Sequence, residues 1–380
     1  MFLQRLSLQN FRNFRDEKVE FPEQGAALVG DNGQGKTNLL EAVYYLEIFR
    51  SFRGARDEQL IRFGDGHFRV AGVLEGAGGA ERVEVAAGYS RDGRCKKVTL
   101  DGHEPARVAE GIGRVGAIVF TASDVEIVAG GPGARRRFLD IILSLVEPGY
   151  LSALQRYRQI LAQRNGLLRN GASLPELAAW NTGLVETGSE ICRARARWVA
   201  ERQASFARYC QRISGGQPTD LKYSPSVPAP SESQGHSAAG GDEWRQAFRE
   251  EIGRQSERER RRGVTLVGPH RDDLNFRLGD DSDAVGLRSF GSAGQQRTAA
   301  VALRMVEAES LRAARGWRPI IMLDDVFAEL DPPRAERVVG LLGAEEWGQV
   351  LVTSPKPSEF GAMGDSLPKY RVVNGRVRRL

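Results

Sequence analysis

Gly30-Asp-Asn-Gly-Gln-Gly-Lys-Thr37, set between the apolar Ala26-Ala-Leu-Val29 and Asn38-Leu-Leu-Glu-Ala-Val43, decides the fold. It fits G-x-x-x-x-G-K-[S/T] in the order strand, loop, helix, the context in which that pattern cradles phosphates. Gly30, Gly33 and Gly35 let backbone N–H groups turn onto phosphate oxygens, and the start of the following helix adds positive potential. Lys36 is expected to reach the β and γ phosphates and Thr37 to hold a metal ion, with Asn32 and Asn38 in the same binding stretch. ATP and Mg2+ are the expected cofactors. The competing reading, a glycine-rich turn that happens to end in Lys-Thr, leaves the flanking strand and helix unexplained.

A phosphate loop needs an acidic partner for its metal at the end of a buried strand. Ile320-Ile-Met-Leu-Asp-Asp325 supplies one, with Asp324 expected to hold the Mg2+ shell and Asp325 to orient or activate the attacking water. Lys36 and Asp325 are the expected catalytic pair. Asp324 follows Gly30 by 294 positions, far more than one crossover connection requires, so something large is inserted between them. Shortly before the acidic strand, Gly291-Ser-Ala-Gly-Gln-Gln-Arg-Thr298 opens a second glycine-bearing helix suited to anions, extending over Ala299 to Glu309.

The pattern between these motifs changes twice. Residues 1–128 read as strands with one helix, as in Glu81-Arg-Val-Glu-Val-Ala86. From Gly130 the apolar residues recur at helical spacing: Leu151, Leu154, Tyr157, Ile160 and Leu161, then Val185, Cys192, Val199, Phe206 and Ile213 every seven residues. Two helices of about 30 residues, turning at Asn170-Gly-Ala-Ser173, would reach roughly 45 Å. Residues 214–242 are rich in Gly, Pro and Ser and read as loop, with one short strand near Leu221-Lys-Tyr223. Strand character returns at Val264-Thr-Leu-Val267. The expected architecture is therefore α/β: a head formed by 1–128 and 263–380, with an inserted helical arm over 129–262.

With 380 residues, 41% hydrophobic and 27% charged, the chain lies in the globular range, and its net charge of +5 is modest. The charge is unevenly spread. Residues 135–212 hold 13 arginines, no lysine and 6 acids, a local net of +7. Such a patch can neutralise DNA phosphates with little sequence selectivity, and Arg135, Arg136, Arg137, Arg156, Arg193, Arg195 and Arg197 are the candidate contacts. A solvated helix face is the plainer alternative, and Arg135 to Arg137 could instead bind nucleotide or brace the lobe junction. No run approaches the ~20 apolar residues of a membrane span, and no secretory leader is evident, so a cytoplasmic, nucleoid-associated protein without membrane partners is expected. Cys95, Cys192 and Cys210 lack disulfide or zinc spacing and are expected as isolated buried thiols. His270-Arg-Asp-Asp273 invites a metal-site or kinase-loop reading, but no second histidine accompanies it and the ATP lysine belongs to a phosphate loop, so a structural turn near the nucleotide lobe is preferred.

The position of Ser292 to Thr298, about 30 residues before the acid pair, resembles the signature motif of ABC-type ATPases, and Glu329-Leu-Asp331 resembles their D-loop. In that superfamily ATP is sandwiched between two heads, which implies a homodimer formed on ATP binding, with Ser292, Gly294, Gln295 and Asp331 completing the partner's site. Several further strings resemble the RecF family of bacterial recombination-mediator ATPases: Leu8-Gln-Asn-Phe-Arg-Asn-Phe14, Gly130-Gly-Pro-Gly-Ala-Arg-Arg-Arg-Phe-Leu-Asp140, Gly268-Pro-His-Arg-Asp-Asp-Leu274, Gly294-Gln-Gln-Arg-Thr298 and Leu323-Asp-Asp-Val-Phe-Ala-Glu-Leu-Asp331. One departure is Ala122-Ser123, where the family usually carries Pro and an acid. The resemblance implies a weak, DNA-stimulated ATPase whose dimers bind duplex DNA and gap junctions and assist RecA loading with RecO and RecR in repair, replication restart and SOS induction. The alternatives are a generic SMC-like ATPase subunit coupled to a nuclease or other DNA machine, an ATP-driven enzyme of another machine such as a transporter head, and a purely structural DNA-binding module.

Overall fold

The opening strand β1 (Phe2–Phe11) buries Leu3, then Leu6 and Leu8, because a bulge between Leu3 and Arg5 shifts the alternation by one residue. It is the second strand of an antiparallel sheet in the order β2-β1-β4-β5-β6, with β2 (Phe14–Glu20), β4 (His67–Glu75), β5 (Arg82–Ser90) and β6 (Cys95–Leu100). The computed structural model describes residues 1–76, 81–229, 240–279, 283–344, 347–354 and 367–380. They fall into two units, one of Met1–Asp124 with Glu307–Leu380 and one of Val125–Val306.

The first unit also contains a six-stranded sheet drawn from both ends of the chain, ordered β14-β13-β3-β12-β11-β7. Its strands β3 (Gly25–Val29), β7 (Ala117–Thr121), β11 (Ile320–Asp324), β12 (Val350–Ser354) and β13 (Lys369–Val373) run parallel, and β14 (Arg376–Arg379) closes the edge antiparallel. The continuous apolar strings Ala-Ala-Leu-Val and Ile-Ile-Met-Leu are what a parallel sheet covered on both faces needs. Helix α1 (Lys36–Ile48) contacts both sheets and buries ten of its thirteen residues, so it is apolar around most of its circumference. Phe11, Tyr45 and Phe68 pack at centroid distances of 5.3–6.3 Å and join α1 to the antiparallel sheet.

The second unit is mainly helical. It comprises α2 (Val125–Ala129), α3 (Pro132–Val146), α4 (Tyr150–Arg169), α5 (Leu174–Ser214), α6 (Gly241–Arg262), α7 (Leu287–Phe290) and the first part of α8 (Ala293–Arg315). A small sheet in the order β10-β9-β8 accompanies them, with β8 (Thr219–Ser224), β9 (Asp273–Leu278) and β10 (Val285–Gly286). The two helices differ more in length than the sequence pattern implied. With 20 and 41 residues they span about 30 Å and about 61 Å at 1.5 Å per residue. The seven-residue series is the buried seam of α5, with Val185, Cys192, Val199, Phe206 and Ile213 all 4% exposed or less.

Three expectations need correction. The boundary expected after residue 262 falls instead after Val306, because β9 pairs with β8 and the residues before it bond into the arm helices. Val264-Thr-Leu-Val267 forms no strand. Its backbone hydrogen-bonding groups are taken by side chains: Asn165 Oδ1 accepts from Thr265 N at 2.7 Å and Glu259 Oε1 accepts from Leu266 N at 2.7 Å. Cys95 is exposed, whereas Cys192 and Cys210 are buried as free thiols. Of the Gly/Pro/Ser-rich loop, residues 230–239 lie outside the described residues.

Candidate nucleotide site

The site begins with the pleat and register of the parallel sheet. Asp324 pairs in register with Thr353 on one side and Thr121 on the other, and Val29 pairs with Ser354, so these strand ends are level. In open α/β sheets, ligands bind beyond these carboxyl ends. The phosphate loop leaves β3 there and returns into α1. Gly30 has φ +154 and a Cβ on it would lie 2.3 Å from the Val372 carbonyl oxygen. Gly35 has φ +116, and a Cβ there would meet the Asn13 side chain at 2.7 Å. Only glycine suits either place.

Asn13, in the turn between β1 and β2, braces the loop from behind. Its Nδ2 donates to the Gln34 carbonyl at 2.9 Å, and its Oδ1 accepts from Asn38 Nδ2 at 2.9 Å. Asn38 is thus partly engaged in holding the loop. Asn32 and Gly33 lie at the exposed crown of the loop, and no protein atom occupies the space where a Gly33 Cβ would project. Lys36 is 5% exposed, and its Nζ donates to the carbonyls of Gly30 at 2.6 Å and Asp31 at 3.2 Å. The ammonium therefore sits inside the curl of the loop. No side chain caps α1, which leaves its first N–H groups available to an anion.

Thr37 Oγ1 donates to Asp324 Oδ1 at 2.9 Å, bringing together the two residues expected to hold the metal across 287 positions of chain. The donor set, one hydroxyl and one carboxylate beside a triphosphate cradle, fits magnesium, a hard cation that prefers oxygen ligands. Burial raises the Asp324 carboxyl above its ordinary range and the Asp325 charge adds to that rise, while hydrogen bonds from Thr37 and Thr353 and the Arg53 charge oppose it. Asp325 is half-buried with φ +50, a left-handed conformation that is uncommon outside glycine but that Asp and Asn tolerate better than most residues.

Two participants escape sequence inspection. Thr353, 2% exposed at the end of β12, donates from Oγ1 to Asp324 Oδ1 at 3.0 Å and accepts from Asp325 N at 3.1 Å. One hydroxyl thus fixes both acids. A threonine in Val350-Leu-Val-Thr reads as an ordinary strand residue, and only the register with β11 reveals it. Arg53 donates to Asn38 Oδ1 at 3.3 Å and its charge reaches Asp324, which places a half-exposed cation beside the loop. Its only sequence signal is its place shortly after α1. At the noted departure, Ala122–Asp124 forms a short turn in which Asp124 Oδ2 accepts from Thr121 N at 2.8 Å.

The remaining expected residues belong elsewhere. Ser292, Gly294 and Gln295 lie in the Val125–Val306 unit at the start of α8, where Ser292 N donates to Gln295 Oε1 at 2.8 Å and Gln295 N donates to Ser292 Oγ at 3.3 Å. Asp331 caps α9 (Pro332–Ala344): its Oδ1 accepts from Arg334 N at 3.0 Å, and that bond helps hold its carboxyl below the ordinary value. The side chain of Glu329 lies outside the described residues.

The arginines divide. Arg135 is 2% exposed and pairs in bidentate fashion with Asp273 at 2.5 and 3.0 Å, and Arg195 is 1% exposed and pairs with Asp140 at 2.7 Å and Asp272 at 3.1 Å. Neither can meet a DNA phosphate, because both guanidiniums are consumed inside the arm. Arg197 pairs with Glu147 at 2.5 Å, and Arg136 donates to the Asp272 carbonyl at 2.8 Å. Arg137 and Arg156 are exposed and Arg193 is half-exposed.

His270-Arg-Asp-Asp273 lies in the arm unit and has a structural role. His270 Nε2 bonds the Thr265 carbonyl at 3.0 Å, which leaves Nδ1 to accept from Tyr157 OH at 2.6 Å. Both ring nitrogens are thus used. Asp272 accepts from Arg195 and from Ser226 N at 2.8 Å, and also from Tyr223 OH.

The sequence and the fold are similar to those of known proteins. The sequence profile described as RecF/RecN/SMC N terminal domain matches residues 2–377. The DNA replication and repair protein RecF of Synechococcus sp. (strain JA-3-3Ab) is 39% identical over 368 residues, covering 95% of this chain and 93% of that protein. A solved structure of the recombination mediator protein RecF-ATP in the RecFOR pathway matches with a TM-score of 0.87 at 28% identity, covering 100% of this chain and 97% of that one. The Smc head domain with an extended coiled coil bound to the C-terminal domain of ScpA, from Pyrococcus furiosus, matches with a TM-score of 0.57 at 15% identity over 100% of this chain and 96% of that one, a likeness of fold alone. A profile spanning nearly the whole chain and a relative above 30% identity over most of both sequences show that the chain belongs to the RecF family, on the ABC-type ATPase fold that it shares with SMC heads.

Proposed function

We propose that the protein is an ATP-gated DNA-binding factor of DNA replication and repair, acting as a cytoplasmic, nucleoid-associated recombination mediator. The observation that carries this reading is the 2.9 Å bond between Thr37 and Asp324, which joins the phosphate loop and the acidic strand into one cradle. ATP enters with its β and γ phosphates over the N–H groups of the loop and the first turn of α1. Lys36 exchanges its two loop carbonyls for phosphate oxygens, a charge-assisted replacement that needs only movement of its terminal ammonium. Bound magnesium supplies the positive charge that offsets the triphosphate. Thr37 and Asp324 hold its shell, and Asp325 orients the water that attacks the γ phosphate. The family resemblance and the curated and structural relatives support ATP as the nucleotide and DNA repair as the setting.

Hydrolysis is slow on its own and speeds up when DNA and a second copy complete the site, Ser292 and Gly294 of one copy meeting the γ phosphate held by the other. Exposed arginines of the arm, Arg137 and Arg156 among them, meet backbone phosphates, so affinity falls with salt and carries little base specificity. Gapped and single-strand/double-strand junction DNA are the preferred ligands, and RecR and RecO, with RecA downstream, are the partners. The test is retention of gapped, blunt and single-stranded DNA with ATP, ADP or no nucleotide, for wild type and Lys36→Ala. ATP-dependent retention by wild type that Lys36→Ala lacks is expected. Equal retention in all nucleotide states would remove the gating.

A further inference from the structure

Two strings without a place at the nucleotide site, Gly131–Asp140 and Pro269–Asp273, converge inside the arm. They share a cavity of about 200 Å³ lined by Gly133, Arg136, Arg137, Asp140, Arg158 and His270, among others. Its volume is below the roughly 300 Å³ at which sites for drug-sized ligands begin, yet leaves room for several waters at about 30 Å³ each. It suits a small ion better than a nucleotide.

The charges on its wall are unevenly matched. Asp140, the acid on this wall, is fully engaged: Oδ1 accepts from Arg195 at 2.7 Å and Tyr150 OH at 2.9 Å, and Oδ2 accepts from Arg158 at 2.8 Å. Arg195 in turn answers Asp272 at 3.1 Å, so the buried acids are balanced within the arm. Arg136 spends one amine on the Asp272 carbonyl, a neutral acceptor, and Arg158 spends one on Asp140. Arg137 makes no ion pair or hydrogen bond among the described residues, and it is exposed on α3 at the mouth of the cavity. Three guanidiniums with donors to spare thus line a small recess whose walls also include Leu154, Tyr157 and Leu161. Planar, forked donors of this kind match tetrahedral oxyanions, which accept two parallel hydrogen bonds from one arginine. His270, held between Tyr157 and the Thr265 carbonyl, also lines the recess.

We propose that this cavity is an anion site that takes one phosphate of a nucleic-acid backbone, held by Arg136, Arg137 and Arg158. The assignment rests on the DNA-binding reading above and refines it: of the candidate arginines, Arg137 and Arg136 grip a phosphate in a formed recess, whereas Arg195 belongs to its wall and Arg135 is spent on Asp273 elsewhere in the arm. One such contact neutralises one phosphate, so it contributes close to one unit to the slope of log affinity against log salt.

The experiment compares wild type, Arg137→Ala, Arg137→Ala/Arg158→Ala and Arg137→Lys by fluorescence anisotropy on a gapped duplex with ATP from 50 to 300 mM salt. Thermal unfolding of the same proteins is followed with and without inorganic phosphate. Arg137 is exposed, so its replacement leaves the fold intact, and unfolding curves without phosphate check this for the double variant. The proposal predicts affinity lowered tenfold or more in the double variant, a slope shallower by about one in Arg137→Ala, and a slope restored by Arg137→Lys, which keeps the charge but not the fork. If wild type binds the duplex and the double variant binds it equally well with the same slope, the cavity site is overturned while DNA binding stands. If wild type binds no duplex in any nucleotide state, the DNA reading falls, and the backbone assignment with it. Phosphate protection lost in Arg137→Ala would then identify the occupant as free phosphate.

Discussion

At Thr353 a single hydroxyl sets the position of both acids, donating to the Asp324 carboxylate and accepting from the Asp325 backbone. Thr353→Val keeps the shape of the side chain and removes both bonds, leaving a buried carboxylate oxygen with one partner fewer, a change of about 1–3 kcal/mol. Turnover of ATP is expected to fall at least tenfold at saturating magnesium, with Thr353→Ser recovering most of it. Equal turnover in the valine variant would show that the strand alone places the acids. Asp325→Asn is the sharper test of chemistry, because asparagine tolerates the φ of +50 and changes only the charge. Steady-state hydrolysis at saturating DNA should drop a hundredfold or more with ATP affinity retained, and wild-type turnover would rule out Asp325 as the group that orients water. Lys36, Thr37 and Asp324 are legible in the sequence because each sits in a short string whose spacing the chemistry dictates. Thr353 and Arg53 are not, since each acts through a neighbour brought to it by strand register or by the loop that follows α1.

The helical arm is held by buried polar groups as much as by its seam. Arg164, 2% exposed, bonds Glu259, Thr265 and Asn181, and Arg195 joins α5 to Asp140 and Asp272. These partners lie 17 to 101 positions apart, so an arginine read in isolation looks like surface charge. This is why Arg135 and Arg195 read as DNA contacts and Val264-Thr-Leu-Val267 reads as a strand in the sequence, whereas the seven-residue series of α5 is legible because its period is local. His270 gives the arm a pH dependence. Burial lowers its value from 6.5 to about 4, with the nearby Arg271 and Arg136 charges acting in the same direction and the Thr265 carbonyl and Asp272 opposing. A histidine held neutral in the folded state contributes stability that is complete above about pH 6.5 and is lost as pH falls toward 4, about 3 kcal/mol over the whole interval. Urea unfolding at pH 7.5 and pH 5 should show wild type losing about 2 kcal/mol more than His270→Gln. Parallel losses in the two proteins would mean that this imidazole already protonates in the fold.

Across the whole chain, the two ends build one mainly parallel sheet, and the cradle exists only because β3 and β11 flank β12 in register. The Ser292–Thr298 segment, proposed as the signature, opens α8 within the other unit, and Ser292 is exposed on its own chain, as a surface offered to a second copy requires. Ser292→Arg should therefore keep ATP affinity and lose the ATP-dependent dimer in sedimentation velocity, and dimerisation like that of wild type would discard the two-copy arrangement. The distance between the motifs was readable from the sequence as a large insertion. Where the insertion ends was not, because the described residues of 263–306 carry ATPase-like strings yet belong to the arm unit. In the proposed site, Lys36, Thr37 and Asp324 share one triphosphate and its metal. Calorimetric titration of ATP, with and without magnesium, into wild type, Lys36→Ala and Asp324→Asn tests it directly. Binding is expected to weaken tenfold to a hundredfold in Lys36→Ala, the scale of one charged hydrogen-bond partner, and Asp324→Asn to lose the magnesium enhancement. An Asp324→Asn protein with the full magnesium enhancement would contradict it.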